Sequence, residues 1–129
     1  MKIDAVLTHP HHPDLCGVVK FSQQLAQRLG VPCVRDLNAS KDFKYPLLSV
    51  KGSEIDGELR APIGWFAVFA HDASGPVRGL AFFANRVYAA SQSITESLRH
   101  VRGDVIPAWC PSLLQGNPTR ATYNVLTFG

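Results

Sequence analysis

The sequence predicts an α/β fold of three layers, a mostly parallel sheet with helices on both faces, and three observations predict it. Short apolar runs such as residues 3–8 (IDAVLT) and 65–70 (WFAVFA) have strand length and little apolar–polar alternation, the pattern of strands covered on both faces. Amphipathic segments with three- and four-residue spacing stand between such runs. Gly, Pro and Ser fall where helices of that spacing would start and stop.

The first strand, residues 3–8, ends in the Pro- and His-rich loop THPHHPDLC. Beyond it Val18, Phe21, Leu25 and Leu29 share one helical face, and Lys20, Gln23, Gln24, Gln27 and Arg28 take the other. Gly30 stands where a left-handed C-cap is wanted and Pro32 bars continuation, so Cys33 and Val34 open a second strand. From Arg35 to Gly64 the periodicity fades into a polar stretch, a strand candidate at residues 47–50 and the connection KGSEIDGEL.

Residues 65–70 read as a central strand that stops at His71 and Asp72. Ser74 and Pro76 supply an N-cap and a first-turn proline for a helix whose face is traced by Val77, Leu80, Ala81, Ala84 and Val87. Residues 87–90 (VYAA) form a brief strand. Ser93 and Glu96 then make a Ser-x-x-Glu capping box ahead of Ile94, Leu98 and Val101. After Gly103, residues 104–109 (DVIPAW) supply another strand, followed by the link PSLLQGNPTR and a last β-prone run at residues 123–128 (YNVLTF). A buried parallel strand needs a crossover helix, and none follows this one. The expected organisation is a domain over residues 1–112 and, over 113–129, a linker with the first strand of a truncated second domain.

Composition narrows the function classes. With 46% hydrophobic and 18% charged residues in 129, the chain has the makeup of one globular core. The net charge of +3 is spread thinly, with no cluster of four or more Lys/Arg, which argues against nucleic acid and leaves peripheral contact with anionic lipid as an expectation. No apolar run approaches the ~18 residues of a membrane span, and residues 1–8 are too short for a signal peptide, so the expected location is the cytoplasm or the inner face of its membrane. Cys16, Cys33 and Cys110 form no Cys-x-x-Cys pair and read as buried thiols. Trp65, Phe66, Phe82 and Phe83 read as core. No cofactor is expected.

The order of motifs resembles the N-terminal half of GT-B fold glycosyltransferases of the retaining, group 1 type, which are built from two Rossmann-like domains. The resemblance rests on Cys16-Gly17-Val18-Val19 with Leu25-Ala26-Gln27-Arg28-Leu29-Gly30, then FAVFAHD to Asp72, ANRVYAAS to Ser91, Asp104-Val105-Ile106-Pro107, and YNVLTFG. It implies a domain that meets a glycan or lipid-linked acceptor and closes over a nucleotide-sugar donor. The family's donor-binding Arg and Lys and its paired-glutamate motif belong to the second half, so the resemblance implies no transfer by this chain alone.

Loops at the carboxyl ends of parallel strands carry the candidate site. The resemblance puts His71 against the transferred sugar, where an imidazole can bond a hydroxyl and help stabilise developing oxocarbenium charge. Asp72 holds that ring or caps the following turn. Gly17, with Val18, opens the first helix, where free backbone N–H groups can meet a phosphate. His9 and His12 belong to the loop expected to touch acceptor. With His11, Asp14 and Cys16 they superficially suggest a metal centre, but His11 and His12 are adjacent on a Pro-flanked loop and no second ligand cluster exists, so no metal is assigned. Two other readings stand beside this one. A free-standing Rossmann-like module would bind a nucleotide or partner without chemistry. A metal-dependent sugar deacetylase would use the His-Pro-Asp of the first loop, although Leu15 replaces that family's second Asp.

Overall fold

The computed structural model describes residues 2–10, 17–52 and 59–107. Within them the chain runs β1 (Ala5–Leu7), α1 (Gly17–Leu29), β2 (Cys33–Val34), a 3-10 turn (Ala39–Asp42), β3 (Pro46–Val50) and β4 (Ala67–Ala70), then α2 (Gly75–Phe83), β5 (Arg86–Ala89), α3 (Gln92–Arg99) and β6 (Ile106–Pro107). The six strands form one sheet in the order β2-β1-β3-β4-β5-β6, and every neighbouring pair is parallel. This is the predicted α/β, Rossmann-like arrangement. His12, the 112/113 boundary and the run at residues 123–128 lie outside the described residues.

The unbroken apolar runs are explained by two cores, one on each face of the sheet. Val6, Leu47, Ala67, Phe69 and Tyr88 face the layer that holds Leu25 and Ala26 of α1. Their neighbours Leu7, Leu48, Val68, Ala70 and Val87 face the layer of α2 and α3 with Val77, Leu80, Ala81 and Leu98. Each strand therefore needs apolar side chains at odd and even positions alike. Burying one such side chain stabilises the fold by about 1.5–3 kcal/mol.

Helix ends follow local chemistry. Gly30, at φ +72°, ends α1 in the left-handed region that glycine adopts without a Cβ penalty. In α2 the inward set Val77, Leu80, Ala81 and Ala84 leaves residues 82 and 83 on the outer face at 100° per residue, so Phe82 and Phe83 are exposed, not core as expected. Ala84 is already extended, which moves Val87 from the predicted helix into β5. Asn85 closes that corner, its N–H donating to the Phe66 carbonyl and its Oδ1 accepting from the Phe66 N–H.

The cap of α3 also differs from expectation. Ser91, not Ser93, is the N-cap, its Oγ accepting from the Ile94 N–H at 3.3 Å. Glu96 instead accepts from Gln92 Nε2 at 3.2 Å, one turn earlier on the same helix face. Arg102 fastens the far end of this layer. Its guanidinium donates to the Ala81 and Ala84 carbonyls at the end of α2 and pairs through two bonds with Asp104.

Candidate functional site

The strand order reverses between β1 and β3, with α1 on one face of the sheet and α2 and α3 on the other. Ligands of open α/β sheets bind outside the carboxyl ends of the strands at such a reversal. Four polar side chains, those of His9, Ser49, His71 and Asp72, stand at or just beyond the ends of β1, β3 and β4 on this rim. The first turns of α1 close it on one side.

His71 follows β4 directly, and its backbone N–H donates to the Val50 carbonyl at 2.9 Å, prolonging the ladder by one residue. Its ring lies between Phe21, edge-on at 4.8 Å between centroids, and Phe69 at 5.1 Å. Nε2 is 2.8 Å from Ser49 Oγ, and Ser22 Oγ bonds Ser49 Oγ at the same distance and the Val18 carbonyl at 2.7 Å. Ser22 carries one proton for these two neighbours, and the direction of the Ser49–Nε2 bond follows the tautomer of the ring. Nδ1 makes no hydrogen bond among the described residues.

Burial of the ring, reinforced by the neighbouring His9 and Lys51 and opposed by Asp72, lowers the His71 pKa from 6.5 to about 4. The imidazole is therefore neutral at physiological pH. Ser49 is fully buried within a strand and cannot serve as a nucleophile; its part is to hold the ring. Ser22 and Ser49 were not among the residues expected from sequence. Their signal was there: each is a lone hydroxyl on a face otherwise apolar, Ser22 one turn after Val18 and Ser49 inside PLLSV.

His9 is 1% exposed, and its Nε2 accepts the Lys51 N–H at 3.0 Å. It thereby latches the end of β1 to the end of β3 and shapes the rim from within. Arg35 braces the same loop, its Nε donating to the His9 carbonyl at 2.7 Å. Asp72 caps a turn, the alternative favoured by its position after the strand. Its Oδ1 accepts from the Ser74 N–H and hydroxyl and from the Gly52 N–H, tying the loops after β3 and β4 together. A Cβ on Gly52 would collide with the Ser74 hydroxyl and approach Val77 Cγ2 at 2.9 Å, so this close approach requires glycine. The Ser74 hydroxyl is turned to Asp72 and makes no cap bond to α2.

The structure thus gathers His71, Asp72 and His9 on one rim with the start of α1 beside them. Gly17 is the exposed first residue of α1, whereas Val18 is buried and presents its carbonyl to Ser22. No group of three His, Cys, Asp or Glu side chains able to hold a metal occurs among the described residues. No described helix is long and apolar enough to cross a membrane. No family model, curated protein or solved structure matches this chain.

Proposed function

We propose that this chain is the acceptor-side, N-terminal Rossmann-like domain of a glycosyltransferase that moves a sugar from a nucleotide sugar to a glycan or lipid-linked acceptor. The observation that carries the reading is His71, a neutral imidazole on the rim, fixed through Nε2 by Ser49, whose Nδ1 makes no hydrogen bond among the described residues. A directed, neutral imidazole nitrogen suits a sugar hydroxyl, which both donates and accepts, because it satisfies the hydroxyl without the cost of burying a charge. With its pKa near 4 the ring is poorly matched to proton transfer at neutral pH. Its role is to bind and orient the sugar, and, being neutral, it does not repel positive charge developing on the sugar ring. The sequence motifs from Gly17 to Pro107 support the same reading by their order, and the donor-binding groups of the resembling enzymes belong to a second domain.

Calorimetry with UDP, GDP, their sugars and simple methyl glycosides tests this, using His71→Gln and His71→Asn. Gln can keep a contact at the Nε2 position but loses the Nδ1 contact; Asn places an amide group near Nδ1. Methyl glycosides are expected to bind, with affinity about tenfold lower in H71Q, the scale of one well-placed hydrogen bond, and partly restored in H71N. Nucleotides that bind equally well without their sugars, at an affinity unchanged in H71Q, would favour the free-standing nucleotide-binding module instead.

A further inference from the structure

The opposite edge of the sheet, where the strands begin, has a different chemistry. A cavity of about 660 Å³ opens there, and its described lining includes Lys41, Lys44 and Arg60 beside Phe43, Ile63 and Trp65, with no acidic residue. Lys41 and Lys44 are exposed and make no ion pair among the described residues. Lys44 sits instead over the Tyr45 ring, 5.7 Å from its centroid.

The exposed large apolar side chains gather at this edge as well. Ile63 is 100% exposed, Phe82 62% and Phe83 69%. Helix α2 runs back against the strands, so its last turn, with Phe82 and Phe83, reaches the edge where β4 begins. The Asn85–Phe66 bonds fasten that end of α2 beside Trp65, and Arg86 packs over the Trp65 ring at 5.5 Å. Cations, half-buried aromatic rings and protruding apolar side chains therefore stand at the same edge of the sheet.

We infer that this edge docks on an anionic lipid bilayer, with the basic cavity receiving a phosphate-bearing headgroup and Ile63, Phe82 and Phe83 entering the interfacial layer. Charge complementarity selects the occupant: unpaired lysines beside exposed apolar side chains are matched by a surface that is negative outside and apolar beneath. A soluble anion would satisfy the lysines and leave the three apolar side chains in water. An acidic protein surface would need an apolar core to match them.

Co-sedimentation with vesicles tests the inference on the whole chain. Vesicles of phosphatidylcholine with about one-third phosphatidylglycerol should carry the protein down, and pure phosphatidylcholine vesicles should not. The double variant Lys41→Gln/Lys44→Gln and the triple variant Ile63→Ser/Phe82→Ser/Phe83→Ser should each weaken binding about tenfold or more, with circular dichroism unchanged because all five side chains lie outside the core. Three outcomes would overturn the inference: no binding to anionic vesicles, equal binding to both vesicle types, or anionic binding unaffected by either variant. Saturable binding of glycerol phosphate in solution, with vesicle binding untouched by the apolar substitutions, would assign the cavity to a free phosphate compound instead and overturn it too.

Discussion

At the scale of single residues, the site depends on how one ring is held. Ser49 Oγ fixes Nε2 of His71, while burial of the ring holds its pKa low. Replacing Ser49 by Ala removes the hydroxyl that both His71 Nε2 and Ser22 Oγ bond and should lower stability by about 1 kcal/mol in urea denaturation. Unchanged stability would mean that Ser49 does not hold the ring. The strand-end His was legible in the sequence, because an apolar run that stops at a His-Asp pair marks a loop at the sheet's carboxyl edge. Its hydroxyl support was not, since the partner Ser49 lies 22 residues away and only strand pairing brings the two together.

Among the elements, helix caps separate what local sequence specifies from what packing decides. Ser91 and Ser93 both precede the apolar face of α3, and the motif alone favours Ser93 because Glu96 stands three residues later. The structure starts the helix two residues earlier, where Ser91 is extended and its Oγ meets the Ile94 N–H. Ser91→Ala should therefore lower stability by about 1 kcal/mol in urea denaturation, and Ser93→Ala by less than about half of that. The reverse ranking would restore the Ser93 cap. Strands β1, β4 and β5 and helix α1 were legible because their patterns are local. The 3-10 turn at Ala39–Asp42 was not, because it is set by tertiary packing: Leu37 and Ala39 are buried against the layer of α2 and α3. The outward turn of Phe82 and Phe83 was likewise hidden by their apolar character and becomes plain once Val77, Leu80 and Ala81 define the inner face.

For the whole molecule, the doubly wound sheet puts two unlike edges on one body. The carboxyl edge carries a small set of buried polar contacts, and the opposite edge carries the basic, apolar border. The polar edge couples function to stability. Because the folded His71 titrates near 4 and its unfolded form near 6.5, the unfolded chain binds the extra proton between these values, so stability falls as pH drops from 6.5 toward 4. Each pKa unit corresponds to about 1.4 kcal/mol, less whatever solvent screening removes at a partly exposed ring. Thermal melts should show this slope, and H71Q should flatten it; equal slopes in both proteins would place the proton-linked group elsewhere. The measurement that bears most directly on the proposed sugar site is the nitrogen NMR spectrum of the His71 imidazole, followed with pH and with added UDP- and GDP-sugars or methyl glycosides. The ring should stay neutral from neutral pH down to about 4, with Nδ1 shifting saturably as a sugar binds. A ring that titrates near 6.5, or stays unmoved while sugars perturb other residues, would contradict the sugar site.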